Sequence, residues 1–278
     1  MWKIFSMRNL WFSLEKTWWP LILALILTAT FAPVHAATDP TQIPFVARTV
    51  TTSHGTYGCR VFVPAHWNGR RPCAVILFLH GSGERGSDNM AQTKNGIRLL
   101  IAQNPDQFPA VVVCPQCRND ALWTQPEMEE MALQALDQSV QEFHGDPARI
   151  YLTGLSLGGY GTWDLAERYP ARWAAIAPCC GGIVFPPHPA VPVPIDPNSD
   201  PYRVAAEKVA HLPTWIFHGG ADPTVPVSES RQMAALLFSM KADVRYTEYP
   251  GVGHNSWDFA YKEPDLISWF LSHKSSTH

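Results

Sequence analysis

The stretch that most constrains this chain lies between residues 149 and 161. A short apolar run, Ile150-Tyr151-Leu152, gives way there to Gly154-Leu155-Ser156-Leu157-Gly158-Gly159-Tyr160-Gly161. The run has the length of a buried strand, and the residues up to Tyr169 read as a helix. Between them stands G-x-S-x-G, the spacing of a nucleophile elbow. The spacing has a steric reason. A serine at a strained strand-to-helix turn needs neighbours without a Cβ where chain crosses chain, and glycine supplies them. The turn raises the hydroxyl above the sheet, and the backbone N–H groups of the helix start point at the same place. By composition the pentapeptide arises by chance in about a tenth of chains this long. An ordinary Gly-rich turn with a solvent-facing serine is therefore the competing reading, and the partners found downstream decide between the two.

The flanking pattern is that of strands alternating with helices. Residues 49–64 read as strands, and Cys73-Ala-Val-Ile-Leu-Phe-Leu79 is a continuous apolar run suited to a strand buried on both faces. A helix is expected over 89–103 and a short buried strand over 110–114. Residues 126–143 give the clearest helix, with Pro126 at its start, Glu127, Glu129 and Glu130 in its first turn, and Gly145 past its end. After the elbow come strands over 173–177, 214–217 and 244–249, and helices over 202–211, 226–240 and 263–272. Seven prolines between Pro186 and Pro201 interrupt the rhythm. A surface loop is the plain reading of that segment, and a lid or cleft wall the functional one. The expected fold is a single α/β domain over 37–278, with a mostly parallel sheet covered by helices on both faces.

A leader precedes it. Lys3, Arg8 and Lys16 charge the first residues, residues 20–32 are apolar, and Val34-His35-Ala36 offers small residues for cleavage. We expect a signal peptide over 1–36 and a secreted or periplasmic protein with no membrane association after cleavage. A formal net charge of −3 gives no basic bias, which argues against nucleic acid as a partner. The six cysteines, Cys59, Cys73, Cys114, Cys117, Cys179 and Cys180, could pair in that compartment or stay free thiols. Cys114-Pro-Gln-Cys117 has redox or metal spacing but ends a strand and has no second ligand pair. Neither a metal nor a cofactor is expected.

In a parallel sheet the loops after the strands converge on one edge, and four of them carry chemistry. Ser156 follows the 150–152 run. His218-Gly-Gly-Ala-Asp222 follows the 214–217 run, and Gly253-His254-Asn-Ser-Trp257 the 244–249 run. His80-Gly-Ser-Gly-Glu-Arg-Gly86 follows Leu79. A serine hydroxyl needs an adjacent base, and His254 is placed to be one. Asp222 would fix its tautomer. The N–H groups of Leu157 and Ser82 would receive the developing oxyanion. Glu248 and Asp258 compete as the acid, and His80 and His218 as the base, although both histidines precede glycine in a manner suited to loop support. Trp123 and Trp257 are candidates for an aromatic cleft wall, against the alternative that both simply pack.

These four blocks, in this order, resemble secreted α/β-hydrolase esterases of the polyhydroxybutyrate depolymerase and feruloyl esterase-like group. Bacterial members of that group are often labelled predicted peptidases. The resemblance implies the α/β-hydrolase fold, a Ser156-Asp222-His254 triad, an acyl-enzyme intermediate, and Ser82, after the first His-Gly, in the oxyanion hole. The implied substrate is a small or polymer-linked carboxylic ester. Peptide hydrolysis of the prolyl oligopeptidase type is the enzymatic alternative, but the roughly 240 residues after the leader leave no room for its gating domain. A non-catalytic binding protein on a hydrolase fold is the alternative from another class. The natural ester and the oligomeric state are not written in these motifs.

Overall fold

The computed structural model describes residues 43–184 and 200–275. The leader expected over 1–36 lies outside the described residues, as does most of the proline-rich segment. Eight strands run β1 (Phe45–Thr52), β2 (Gly55–Phe62), β3 (Cys73–Leu79), β4 (Ala110–Pro115), β5 (Gly145–Leu155), β6 (Ala175–Cys179), β7 (Thr214–Gly219) and β8 (Val244–Tyr249). They form one sheet in the order β1-β2-β4-β3-β5-β6-β7-β8. Only β2 pairs antiparallel, with β1 on one side and β4 on the other, and the remaining pairs are parallel.

The continuous apolar run of β3 follows from burial on both faces. Successive side chains of a strand point to opposite sides. Val75, Leu77 and Leu79 therefore enter one core, and Ala74, Ile76 and Phe78 the other. The first core is closed by α2 (Pro126–Glu142), α3 (Leu157–Arg168), α4 (Pro201–Val209) and α5 (Ser228–Ser239), through residues such as Met131, Trp163, Val209 and Met233. The second is closed by α1 (Ile97–Ala102) and α7 (Leu266–Ser272), through Ile97, Ile101, Trp269 and Phe270. A four-residue helix, α6 (Trp257–Ala260), precedes α7.

Two sequence expectations change. The helix expected over 89–103 divides into a 3-10 turn at Ala91–Thr93 and the short α1, because Gly96 stands between them at φ +66°. The strand expected over 173–177 is shifted to β6, with Trp173 buried ahead of it. No helix of the described residues is long and apolar enough to cross a membrane. All six cysteines are free thiols. Burial pushes Cys59 and Cys117 up to about 12, and Cys114 well above its ordinary value. Cys114, inside β4, and Cys117, just past its end, are both fully buried.

Candidate active site

Parallel pairing aligns the ends of the central strands. Leu79 lies beside Gly154, Leu155 beside Cys179, and Gly219 beside Tyr249. The residues just past those ends are His80, Ser156, Cys180, Asp222 and His254, and they share one edge of the sheet.

Ser156 occupies the elbow at φ 54° and ψ −116°, a strained conformation for a residue with a Cβ. Glycine is required around it. A Cβ on Gly158 would overlap the carbonyl of Leu79, and one on Gly159 would come within 2.6 Å of the Cys179 carbonyl oxygen. The Ser156 N–H donates to the Cys179 carbonyl at 2.9 Å, which ties the turn to β6. Leu157 opens α3 directly after it, ahead of the first turn in which Gly159 and Tyr160 donate to the Ser156 carbonyl. The Leu157 N–H is thus one of the helix-start donors that have no intrahelical acceptor.

The structure brings Ser156, His254 and Asp222 into one hydrogen-bonded chain. Ser156 Oγ is 2.8 Å from His254 Nε2, and His254 Nδ1 is 2.7 Å from Asp222 Oδ2. An ionised carboxylate can only accept, so Nδ1 carries the proton and Nε2 offers its lone pair to the serine hydroxyl. The Asp222 side chain is wholly buried, whereas that of His254 is 21% exposed. Asp222 Oδ1 accepts from the N–H groups of Thr224 at 2.8 Å and Val225 at 2.9 Å, which fixes the plane of the carboxylate.

The rival acids are engaged elsewhere. Glu248 accepts from Arg231 Nη2 at 2.6 Å and from the Tyr246 hydroxyl at 2.6 Å, and these bonds hold its carboxyl down at about 2. Asp258 accepts from Asn255 Nδ2 at 3.2 Å. The rival histidines are props. His218 is fully buried; its Nε2–H donates to the Val225 carbonyl at 3.1 Å, and its Nδ1 accepts from the Ser230 hydroxyl at 2.7 Å. Its Nε2 also lies 3.4 Å from Asp222 Oδ2, so it braces the loop that carries the acid. His80 accepts at Nε2 from the Cys117 N–H at 3.0 Å, and its Nδ1–H donates to the Gly81 carbonyl at 2.7 Å. Burial lowers it to about 4, which keeps it neutral.

His80 thereby fixes the loop that Ser82 enters, at the start of a 3-10 turn, Ser82–Glu84. A Cβ on Gly81 would lie 3.6 Å from the Ser156 Cβ, so this loop passes directly over the serine. Trp123 requires a correction. Its ring is buried at 1% exposure, its Nε1–H donates to the His80 carbonyl at 2.9 Å, and it packs edge-on against the His80 ring. It supports the Gly81-Ser82 loop from below and cannot line a cleft. Trp257 is half-buried at the start of α6, its ring edge-on to His254 with centroids 5.2 Å apart.

Cys180 is a site residue that the sequence reading passed over. Its sulfur, one His254 nitrogen and an Asp222 oxygen all lie within 4.8 Å of one another. Among the described residues this is the one group whose donors could hold a metal ion together. The signal for it was the pairing of β5 with β6, which no local motif displays.

The chain is 32% identical to a poly(3-hydroxyoctanoate) depolymerase of Pseudomonas fluorescens over 126 residues, covering 45% of this chain and 41% of that protein. It is 41% identical to the bifunctional acetylxylan esterase/xylanase XynS20E of Neocallimastix patriciarum over 147 residues, covering 49% of this chain and 20% of that one. The matches thus span less than half the length of these curated relatives. A solved structure of a thermostable esterase superimposes with a TM-score of 0.70 at 32% identity, covering 83% of this chain and 63% of that one. The α/β-hydrolase architecture and the esterase likeness read from the motifs therefore hold. The profile of one family matches residues 115–268, more than half of the chain and the part that carries the elbow, the acid loop and the base loop: the chain belongs to the dienelactone hydrolase family.

Proposed function

We propose that this protein is an exported serine esterase that cleaves carboxylic esters through Ser156, His254 and Asp222. The observation that carries the reading is the unbroken chain from Ser156 Oγ to His254 Nε2 at 2.8 Å and from His254 Nδ1 to Asp222 Oδ2 at 2.7 Å. Ser156 Oγ attacks the ester carbonyl carbon as its proton passes to His254 Nε2. Asp222 holds the opposite ring nitrogen and stabilises the imidazolium that forms. The N–H groups of Leu157 and Ser82 receive the oxyanion, one from the helix start and one from the braced loop. As the tetrahedral intermediate collapses, the C–O bond to the leaving alcohol breaks and His254 Nε2–H protonates it. Water then attacks the acyl-enzyme with the same base, which releases the carboxylic acid and restores Ser156.

Trp257, edge-on to the base, is the aromatic side chain placed to meet a substrate. The depolymerase and acetylxylan esterase likenesses favour an ester carried on a polymer. A panel of aryl, short-chain acyl and polymer-linked esters beside matched aminoacyl anilides tests this. We expect the best ester to exceed every anilide in kcat/KM, and Ser156→Ala to abolish ester turnover. A peptide-like substrate equal to the best ester would overturn the substrate class while leaving the triad standing.

A further inference from the structure

Cys180 takes no part in the ester chemistry, yet it sits within reach of both the base and the acid that orients it. We propose that the Cys180 thiolate, the Asp222 carboxylate and one imidazole nitrogen of His254 form a chelating site for a soft divalent cation, Zn²⁺ or Cd²⁺, whose binding switches the hydrolase off.

Geometry carries the proposal. The three ligand atoms lie within 4.8 Å of one another. A tetrahedral site with ordinary metal–sulfur, metal–nitrogen and metal–oxygen bonds needs separations of about 3.4–3.6 Å between such atoms. Two of the three residues are anchored. Cys180 is fully buried at φ 40°, with its N–H donating to the Phe217 carbonyl at 2.8 Å. Asp222 is held by two backbone amides. His254, on a loop and partly exposed, is the member that can adjust, and its exposed edge gives the ion a way in.

Charge and softness agree with the geometry. A thiolate with a carboxylate balances a divalent cation, so the buried cluster is neutral once formed. Sulfur and imidazole donors select Zn²⁺ or Cd²⁺ over Mg²⁺ and Ca²⁺, which take oxygen shells. Binding breaks the Cys180 S–H bond and releases that proton to solvent, with no electron transfer. The imidazole that takes the metal no longer serves the relay: either the metal takes the Nε2 lone pair, or it takes Nδ1 and the ring proton moves to Nε2, which then cannot accept from Ser156. The neighbouring Cys179 thiol contacts the Ser256 Oγ at 3.7 Å and the Cys180 side chain, and is not itself one of the three donors.

The inference rests on the proposed triad for its activity readout only, so the test has two arms on the full chain. In the first, ester hydrolysis is titrated with CdCl₂, ZnCl₂, MgCl₂ and CaCl₂. Cd²⁺ and Zn²⁺ should inhibit, EDTA should restore the rate, and Mg²⁺ and Ca²⁺ should do nothing. In Cys180→Ser the inhibitory concentration, taken against that variant's own uninhibited rate, should rise at least about tenfold. An equal inhibitory concentration in the two proteins would overturn the proposal. In the second arm Ser156→Ala, which needs no activity, is titrated with CdCl₂ and its Cd–thiolate charge-transfer absorption is followed. One equivalent should bind, and adding Asp222→Asn should weaken binding by at least about tenfold. No thiolate band, or a band indifferent to Asp222, would overturn the proposal even if Cys180→Ser failed to fold.

Discussion

Replacing Asp222 by asparagine separates orientation from charge in a way the structure makes quantitative. In the protein, Oδ1 receives the N–H groups of Thr224 and Val225 at 2.8 and 2.9 Å, while Oδ2 faces His254 Nδ1 at 2.7 Å. Asparagine keeps the first two bonds only by placing its carbonyl oxygen on Oδ1. Its amide nitrogen must then occupy the Oδ2 position, and a donor meets the Nδ1–H. The ring responds by moving its proton to Nε2, the atom 2.8 Å from Ser156 Oγ. A protonated Nε2 cannot accept from serine, so general-base catalysis is lost although every heavy atom stays in place. The expected fall in kcat is about 10⁴-fold, or about 5.4 kcal/mol of transition-state stabilisation. Stability should change by only about 1–2 kcal/mol, because one charge-assisted bond becomes neutral and the amide bonds survive. Steady-state kinetics on an aryl ester and urea unfolding of the same preparation measure the two quantities. A kcat within about tenfold of the parent protein, with normal stability, would refute the assignment of Asp222 as the orienting acid.

The two tryptophans near the site should part company. Trp123→Phe removes the Nε1–H bond to the His80 carbonyl that braces the Gly81-Ser82 loop, so kcat should fall about tenfold at unchanged KM. Trp257→Ala should instead raise KM for aryl esters more than it lowers kcat, and the reverse pattern in either variant would contradict these placements. Gly158→Ala should be severely destabilising, by at least about 3 kcal/mol in chemical unfolding, since its Cβ would overlap the Leu79 backbone; a stable alanine variant would refute the packing argument. Burial, and then the Asp164 carboxylate beside it, push the Glu129 carboxyl up to about 8. A raised folded-state value means that the native chain holds a proton the unfolded chain has released, so this contribution is complete below the ordinary carboxyl range and is lost as pH rises through about 8. Glu129→Gln should therefore flatten the decline in Tm between the ordinary carboxyl range and pH about 8 measured by calorimetry, and an unchanged profile over that window would count against it.

The parts of this fold legible in the sequence are those set by local pattern. The β3 run reads as a strand buried on both faces, the strand over 244–249 falls where β8 is found, and G-x-S-x-G marks the sharp turn from β5 to α3. Serine, aspartate and histidine could be chosen because each follows a strand in a parallel sheet, so topology alone carries them to one edge. What escaped is set by partners distant in sequence. Trp123 follows β4 as a cleft residue would, but its indole N–H finds the His80 carbonyl and turns the ring inward. His80 and His218 look like catalytic bases by position and prove to be braces, through bonds to Cys117 and to Ser230. Cys180 reaches the base only because β5 and β6 pair with Leu155 opposite Cys179. The helix expected over 89–103 fails at Gly96, whose positive φ leaves only a short α1 after it.

The central claim, that Ser156 is the nucleophile activated through His254, is tested most directly by covalent labelling. The full chain is treated with a fluorophosphonate, digested, and the modified residue identified by mass spectrometry. A single adduct on the Ser156 hydroxyl is predicted, absent from Ser156→Ala and strongly slowed in His254→Ala. An adduct on any other residue, or undiminished labelling of Ser156→Ala, would contradict the account.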